Sequence, residues 1–420
     1  MIRTGDRQLI KELNIALVMN VIRQHEPISR VDIADRTGLG RSTVTGIINT
    51  LLKEGLVAES GSAESSSGRK PVLLTFNART LYVIGIKLAP RSAHVALVDL
   101  NAEVLYTEQV PLGLGGGFGA IIAALKAGVD NVIAATGTAR EKVLGVGLVM
   151  PGVVDPGSGT AVSSYFLGWA NVPVRDILEQ ELDLPVYVDN DANGMALAEA
   201  LYGAGRGMSD ILAVTVGVGV GGGLIIGGRI HRGAGNSAGE LGHTCVVRDG
   251  PTCVCGRKGC LEALAGDAAI VRRAREEVLA GRAELLRFLC HGQVDLITRE
   301  LVVEAAADGD VGARAALVEA GAWLGLALGN AVNLISPSRI VVGGEAVLQA
   351  GELILAPMRQ AMAAVVFPTL TEQPQVVRAM LGEHAWVQGA AALVLSDAFQ
   401  VPLHAQTTMG MARRVGQSNS

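Results

Sequence analysis

Apolar residues recur at helical spacing three times within the first 54 positions, which predicts three short helices. The first covers residues 7–25, the second covers residues 30–37 and the third covers residues 42–54. Ser29 and Asp32 form a capping box at the start of the second helix. Three helices of this size, with a glycine turn before the third, are typical of a helix-turn-helix.

Two short apolar runs follow, at residues 56–58 and 72–76, on either side of a loop rich in Ser and Gly. They predict a β-hairpin, which would be the wing of a winged helix-turn-helix. The loop ends in Gly68-Arg69-Lys70-Pro71. Two cations on an extended backbone can enter a minor groove or contact phosphates, so Arg69 and Lys70 are candidate DNA contacts.

From residue 79 the pattern changes to clusters of strands followed by helices, and this succession occurs twice. It predicts an α/β chain with two related lobes. The strands are expected at 82–87, 93–100, 103–110, 143–149, 186–188, 211–216, 223–226 and 340–342, with helices at 118–136 and within 262–332. We expect a DNA-binding domain over 1–78, a first lobe over 79–200, a second lobe over 201–400 and a loose tail over 401–420.

Composition and charge add two constraints. The 420 residues are 49% hydrophobic and 3% aromatic, with 54 glycines, which excludes long-range disorder and predicts a core of small aliphatic side chains. Lys and Arg exceed Asp and Glu by three in residues 1–80, whereas the whole chain carries −5. A basic head on an acidic body favours an anion-binding module, although an excess of three charges also arises by chance.

Two uncharged runs resemble membrane spans by composition. Residues 211–228 hold seven glycines, and residues 320–338 contain two asparagines and a proline, which are costly in hydrocarbon. Residues 1–14 are charged and lack the apolar stretch of a secretory signal. We therefore expect both runs in a soluble core, no membrane partner and a cytoplasmic location.

The third helix carries polar side chains on the face opposite its apolar stripe. Arginine pairs bidentately with guanine, asparagine pairs with adenine, and hydroxyls bind bases or phosphates. The alternative is an ordinary solvated helix face. Because this helix lies within a winged helix-turn-helix pattern, we interpret that face as the surface that reads double-stranded DNA. Its residues are Arg41, Ser42, Thr45, Asn49 and Lys53.

One imidazole and three thiols are closely spaced in the second lobe, at His243, Cys253, Cys255 and Cys260. This donor set suits a tetrahedral zinc ion, and four protein ligands indicate a structural site without a reactive zinc-bound water. Gly256 and Gly259 would let the backbone turn around the ion. The alternative is three buried free cysteines. The two remaining cysteines, at 245 and 290, are expected in the core.

Polar residues also gather where a sugar would bind. Asn190 and Asp191 follow a short apolar strand and precede a helix, so they face the cleft of an α/β lobe. Asp191 is also placed to act as a general base. Glu240 and Glu262 flank the predicted zinc site, which would fix both carboxylates. A capped turn is the alternative reading of Asn190 and its neighbours.

These residues resemble the ROK family, which contains sugar kinases and sugar-responsive repressors. The resemblance rests on residues 239–243, 253–262, 167–169 and 188–193. It implies a body of two actin- or hexokinase-like lobes, each related to RNase H, with a sugar between them. Asp191 matches the catalytic base of the kinases. The implied sugar contacts are Asn190, Asp191, Glu240, His243, Glu262 and Gly152.

The departures from the kinases concern the phosphate-binding segments. Where the kinases have Asp-x-Gly-Gly-Thr, this chain has Lys87, Leu88, Ala89, Pro90 and Arg91. Proline has no N–H donor, and lysine replaces a carboxylate that helps to bind magnesium. The Gly-Thr-Gly segment of the kinases is Gly-Val-Gly at residues 217–219, and valine has no hydrogen-bond donor on its side chain. We therefore predict no enzymatic phosphoryl transfer.

The repressor branch of the family implies a homodimer or homotetramer on palindromic operator DNA, with a small-molecule sugar as effector. We expect a sugar-responsive regulator with a structural zinc ion. Two alternatives remain open. The chain is an active ATP-dependent sugar kinase that carries a DNA-binding head, or its body binds a regulatory protein instead of a sugar.

Overall fold

The computed structural model describes residues 7–62, 71–113, 117–368 and 373–398. The predicted wing cations Arg69 and Lys70, and the predicted tail, lie outside these residues. The described chain forms an α/β protein with a winged helix-turn-helix head and a two-lobed body, which confirms the predicted fold class.

The head contains the three predicted helices and a small antiparallel sheet, in which β3 lies between β1 and β2. The Ser29 side chain caps α2, because its Oγ accepts a hydrogen bond from the Asp32 N–H at 3.2 Å. Gly38 ends this helix with φ of 69°, a conformation that favours glycine. The elements are α1 (Arg7–His25), β1 (Ile28–Ser29), α2 (Arg30–Thr37), α3 (Arg41–Lys53), β2 (Val57–Ser62) and β3 (Val72–Phe76).

The first lobe is built on a five-stranded sheet in the order β11-β7-β4-β5-β6. The first three strands of this order are mutually parallel, and β5 and β6 complete an antiparallel meander. The elements are β4 (Tyr82–Leu88), β5 (Ser92–Asp99), β6 (Val104–Pro111), α4 (Gly117–Thr136), β7 (Val143–Met150), α5 (Val174–Leu182) and β11 (Val186–Asn190).

A small antiparallel sheet in this lobe was not predicted from the sequence. It consists of β8 (Val153–Asp155), β9 (Thr160–Ser164) and β10 (Trp169–Val172). Strands of three to five residues, rich in polar and exposed positions, give little periodic signal.

The second lobe has a sheet in the order β14-β13-β12-β15-β16, covered by helices. Its elements are α6 (Asp191–Tyr202), β12 (Ile211–Val216), β13 (Val220–Ile226), β14 (Arg229–Ile230), α7 (Glu262–Ala265), α8 (Asp267–Leu279), α9 (Glu284–Leu289), α10 (Arg299–Ala307), α11 (Val311–Ile335), β15 (Arg339–Gly343), α12 (Glu345–Ala350), α13 (Glu352–Ala363) and β16 (Gln375–Arg378). A final helix, α14 (Ala385–Ala398), completes the described chain.

Two helices, α4 and α11, are long and apolar enough to cross a membrane. In α11, 56% of the apolar window is buried inside the protein, where Leu317, Leu324 and Leu328 belong to the main core of the second lobe. The other uncharged apolar segment, residues 211–228, contains the hairpin of β12 and β13. Both uncharged segments therefore contribute to the core of the second lobe.

The last helix, α14, packs against the first sheet, although the predicted boundary at residue 200 grouped it with the second lobe. Gly85 on β4 and Gly147 on β7 make this contact possible. A Cβ at either glycine would overlap a backbone carbonyl oxygen of α14, on Val387 or Ala390. Hydrophobic patterning does not reveal such a return, because the two contacts join residues about 240 and about 300 positions apart along the chain.

Candidate functional site

A cleft between the two lobes is lined by polar residues from both. Strand β11 and the start of α6 supply Asn190 and Asp191, and the turn after β7 supplies Gly152. From the second lobe come Glu240 and His243, beside a short 3-10 helix, and Glu262 at the start of α7. The structure thus brings together all six predicted sugar contacts: Gly152, Asn190, Asp191, Glu240, His243 and Glu262.

Asn190 has both a local role and a place in the cleft. Its Oδ1 accepts hydrogen bonds from the N–H groups of Ala192 at 2.8 Å and Asn193 at 3.2 Å, which caps α6. Its Nδ2 donates to the Gly152 carbonyl at 2.9 Å. These contacts use one of the two N–H donors of the amide, and Asn190 lines the cleft, so the capped turn and the predicted sugar contact are compatible.

The carboxylates of the cleft lie close enough to affect one another. Burial raises the pKa of Asp191 above its usual value, and the Lys87 ammonium opposes this shift. Burial also raises the pKa of Glu240, which His243 lowers and the carboxylates of Asp191 and Glu262 raise further. Converging acceptors of this kind suit a ligand that brings several hydroxyl donors.

The four predicted zinc ligands form a compact cluster, whose donor atoms all lie within 4.8 Å of one another. The Cys255 and Cys260 Sγ atoms are 3.7 Å apart, and Cys253 Sγ is 3.6 Å from His243 Nδ1. A tetrahedron with Zn–S bonds of ~2.3 Å has edges of ~3.8 Å. The donor set and the spacing therefore fit a zinc ion.

Glycine conformation makes the tight turn of this cluster possible. Gly256 and Gly259 have φ of 82° and 72°, in the left-handed region that favours glycine. A Cβ on Gly259 would also overlap the Val247 carbonyl oxygen. The loop brings the cysteines together because the backbone can reverse direction at these two positions.

The cluster and the cleft meet at His243 and Glu262. His243 directs Nδ1 to Cys253, while its Nε2 lies 3.9 Å from Glu240 Oε2. The two ring nitrogens therefore allow His243 to be a metal ligand and to orient a carboxylate of the cleft. Glu262 Oε2 accepts a hydrogen bond from the Val220 N–H at 3.1 Å, and its Oε1 lies 3.5 Å from Cys253 Sγ.

The other end of the cleft contains an ion pair between the lobes. Lys87 Nζ on β4 lies 2.8 Å from Glu345 Oε1, at the start of α12. The same ammonium lies 3.6 Å from the ring centroid of Trp386 on α14, a cation–π contact. Gly217 is close to this pair, because a Cβ there would come within 2.5 Å of Glu345 Oε2. Sequence reasoning did not single out Glu345 or Trp386.

The predicted DNA-reading residues lie on α3, and all five are exposed. The opposite face is buried in the core of the head through Val44, Ile47, Ile48 and Leu51. Ser42, Thr45, Asn49 and Lys53 follow one another at three- and four-residue steps, so they share a face. The structure leaves this face open, and the individual DNA contacts remain predictions.

A family model described as ROK family matches residues 83–397, which is most of the chain. The chain belongs to the ROK family. A second model, described as MarR family, matches residues 16–65 within the head of this ROK protein. The winged helix-turn-helix and the ROK body inferred from sequence are thus both confirmed.

Three similar proteins place this ROK chain among regulators and kinases. The xylose repressor of Caldicellulosiruptor bescii is 33% identical over 401 residues, which cover 96% of this chain and 100% of that protein. A ROK family transcriptional regulator, a homologue of the Escherichia coli MLC protein, has a TM-score of 0.80 at 26% identity, covering 97% of this chain and 98% of its own. A ROK glucokinase from Streptomyces griseus, in complex with glucose and AMPPNP, has a TM-score of 0.69 at 35% identity, covering 74% of this chain and 98% of its own.

Proposed function

We propose that this ROK protein is a sugar-responsive transcriptional repressor, which binds operator DNA through α3 and a sugar in the cleft between its lobes. The observation that carries the proposal is the contrast within that cleft. The six predicted sugar contacts line one cleft, while a paired Lys87 and Glu345 lie beside Gly217. By resemblance, residues 217–219 correspond to a phosphate-binding segment of the kinases. The head and its exposed α3 face supply the DNA-binding part.

The cleft favours a neutral monosaccharide over a phosphorylated one. Asp191, Glu240 and Glu262 would repel a phosphate in a partly desolvated site. Lys87 is the one Lys or Arg among the described residues that line the cleft, and it is already paired with Glu345. D-Xylose is the first sugar to test, because the similar repressor is named for it.

The zinc ion that we propose has a structural role. His243, Cys253, Cys255 and Cys260 would hold it, and four protein ligands leave no open position for a reacting water. When bound, it would cross-link the loop that carries Glu240 to the start of α7 and thereby fix the spacing of two cleft carboxylates.

Operator binding would involve more than one copy of the chain. We propose a homodimer or homotetramer in the cytoplasm, whose paired heads read two half-sites about one helical turn apart, or a multiple of it. A sugar can change operator affinity only if it binds better to one arrangement of the lobes and heads than to the other.

The deciding experiment is operator binding with and without sugar. Operator duplexes would first be selected from fragmented genomic DNA with the full-length protein, and binding would then be followed by fluorescence anisotropy. D-Xylose, D-glucose, N-acetyl-D-glucosamine and their phosphates form the panel. We expect one neutral sugar to weaken operator binding about tenfold or more. Operator binding that ignores every sugar would contradict the proposal, and an Arg41→Ala variant serves as the DNA-binding control.

An active sugar kinase is the second candidate, because Asp191 occupies the position of the kinase base and the glucokinase is 35% identical. An ATP-coupled assay on the same neutral sugars tests it. Turnover near the usual ~1–1000 per second, abolished by Asp191→Asn, would favour the kinase. We expect no turnover, because Ala89 and Pro90 replace the flexible phosphate turn and Glu345 places a carboxylate beside residue 217.

A further inference from the structure

Helix α6 joins the cleft to the DNA-binding head. It begins at Asp191, directly after its cap Asn190, and ends at Tyr202. Its 12 residues span about 18 Å at the usual rise of an α-helix. At its far end the Tyr202 ring packs against the apolar cluster that contains Val18 and Ile22 of helix α1. Burial raises the pKa of the Tyr202 hydroxyl, and the nearby Arg23 guanidinium of α1 opposes this shift. One continuous helix therefore has a proposed sugar-binding residue at one end and a head contact at the other.

Helix α14 runs beside α6 and also connects the two regions. Trp386 near its start lines the cleft and contacts Lys87. Leu395 near its end belongs to the apolar cluster of the head. The helices touch backbone to backbone, since a Cβ on Gly389 would overlap the Gly194 carbonyl oxygen. Because the backbones are in contact where Gly194 meets Gly389, a shift of one helix displaces the other, so we treat them as one α6–α14 pair.

The head shares its core with the first lobe. One continuous apolar cluster includes Val18 and Ile22 of α1, Val98 of β5, and Val387 and Leu395 of α14. Tyr202 packs against the same cluster.

Polar contacts reinforce this junction between the head and the first lobe. Arg23 Nη1 lies 3.5 Å from the Leu100 carbonyl, and the Thr80 hydroxyl donates to the Gly55 carbonyl at 2.7 Å. A displacement of the α6–α14 pair would therefore act directly on α1.

We propose that the α6–α14 pair transmits sugar occupancy from Asn190 and Asp191 to α1, and that Tyr202, packed against the apolar cluster of the head with its hydroxyl near Arg23, is the contact through which the head responds. This inference rests on the proposed function and names how the sugar site would regulate DNA binding. A sugar that hydrogen-bonds Asn190 and Asp191 acts on the first turn of α6. Because the helix is rigid and packed on α14, its Tyr202 end and the attached α1 change position relative to the body.

The first test uses Tyr202→Phe, which removes the hydroxyl and keeps the ring. Tyr106→Phe, at an exposed position on β6, is the matched control. For each full-length protein, D-xylose, D-glucose and N-acetyl-D-glucosamine are titrated by calorimetry, and operator affinity is measured with and without the sugar that binds. We expect Tyr202→Phe to keep its sugar affinity but to lose about fivefold or more of the sugar-induced change in operator affinity. An unchanged response, or equal losses in both variants, would overturn the proposal.

A second test needs neither sugar nor operator. Asn190→Ala removes the cap of α6, and amide hydrogen exchange is followed by mass spectrometry along the whole chain. We expect exchange in the second half of α1 to rise about fivefold, and this rise to be largely absent when Tyr202→Phe is also present. Changes confined to residues 186–196, or an identical rise in both backgrounds, would contradict transmission through Tyr202. If no sugar binds the wild-type protein, the proposed sugar function fails, while this test still decides the transmission.

Discussion

The two ends of the cleft differ in how their charged groups are satisfied. At the proposed sugar end three carboxylates converge. Burial raises the pKa of Glu240, and the charges of Asp191 and Glu262 raise it further. At the other end, Lys87 and Glu345 neutralise each other at 2.8 Å. Three converging carboxylates offer acceptors to a ligand that brings hydroxyl donors. A satisfied pair indicates an end that offers no net positive charge to a phosphate.

The largest effect is expected from removing a ligand of the metal cluster, because the geometry of the proposed sugar end depends on that cluster. We expect Cys260→Ser to lose bound zinc, to unfold at a temperature lower by roughly 10 °C or more, and to bind no sugar. Cys245→Ser is the control. The prediction that Cys245 lies in the core was wrong, because its side chain is exposed and outside the four-ligand cluster. Elemental analysis and calorimetric unfolding measure these effects. Full zinc content in Cys260→Ser, or equal loss in Cys245→Ser, would refute the assigned ligand set.

The second prediction separates the two ends directly. Asp191→Ala is expected to weaken sugar binding roughly 10- to 100-fold, because a hydrogen bond to a charged acceptor is lost. Glu345→Gln, at the other end, should leave sugar affinity within about twofold, because Glu345 is already occupied by Lys87. Calorimetric titration gives both values. Similar losses in the two variants would show that the ends do not act separately.

The parts of this site that lie close together in the sequence could be predicted from it, and the parts that lie far apart could not. The cysteine cluster was fully predictable, since Cys253, Cys255 and Cys260 lie within eight residues and their spacing encodes the site. The departure from the Asp-x-Gly-Gly-Thr pattern at Lys87 was visible in the sequence as well. Its partner Glu345 was not, because 258 positions separate the two and no local pattern pairs them.

The same reasoning applies to the fold. The helices of the head and most strands of the two large sheets follow from apolar periodicity, and their predicted bounds lie within a few residues of the observed ones. The four-residue strand β16 was not predicted. Helix α14 can pack on the first sheet because Gly85 and Gly147 have no Cβ to block it. The sequence does not show that these glycines face a helix. Trp386 enters the cleft as a consequence of that packing.

The third prediction concerns the stability of the paired end. Lys87→Met leaves Glu345 without its cation, and we expect a loss of about 1–2 kcal/mol at neutral pH, a modest value because the Glu345 side chain is 43% exposed. Burial opposes the ionisation of Glu345, yet Lys87 holds its pKa below the usual value.

A group with a depressed pKa in the folded state stabilises above its unfolded pKa and ceases to do so as the pH falls through the folded value. The difference between wild type and Lys87→Met should therefore be full near neutrality and shrink below about pH 4.5. Urea unfolding at several pH values measures it. A difference that is constant with pH would argue against the ion pair.

The smallest effect that we predict is the pH dependence of sugar binding. Burial raises the pKa of Asp191 above its usual value of 3.8, and Lys87 offsets this only in part. The ionised carboxylate is the form that accepts hydrogen bonds from sugar hydroxyls, so affinity should be full above the raised pKa and fall a few-fold as the pH drops through it. Calorimetric titration from about pH 4.5 to 8 measures this, with circular dichroism to confirm that the protein stays folded. Asp191→Asn cannot ionise and should show a flatter profile. Glu345→Gln should keep the pH dependence but move it to lower pH, because the Glu345 carboxylate helps to raise the pKa of Asp191. If Glu345→Gln removed the pH dependence of sugar affinity, the two ends of the cleft would titrate together. That result would contradict the view that they act separately.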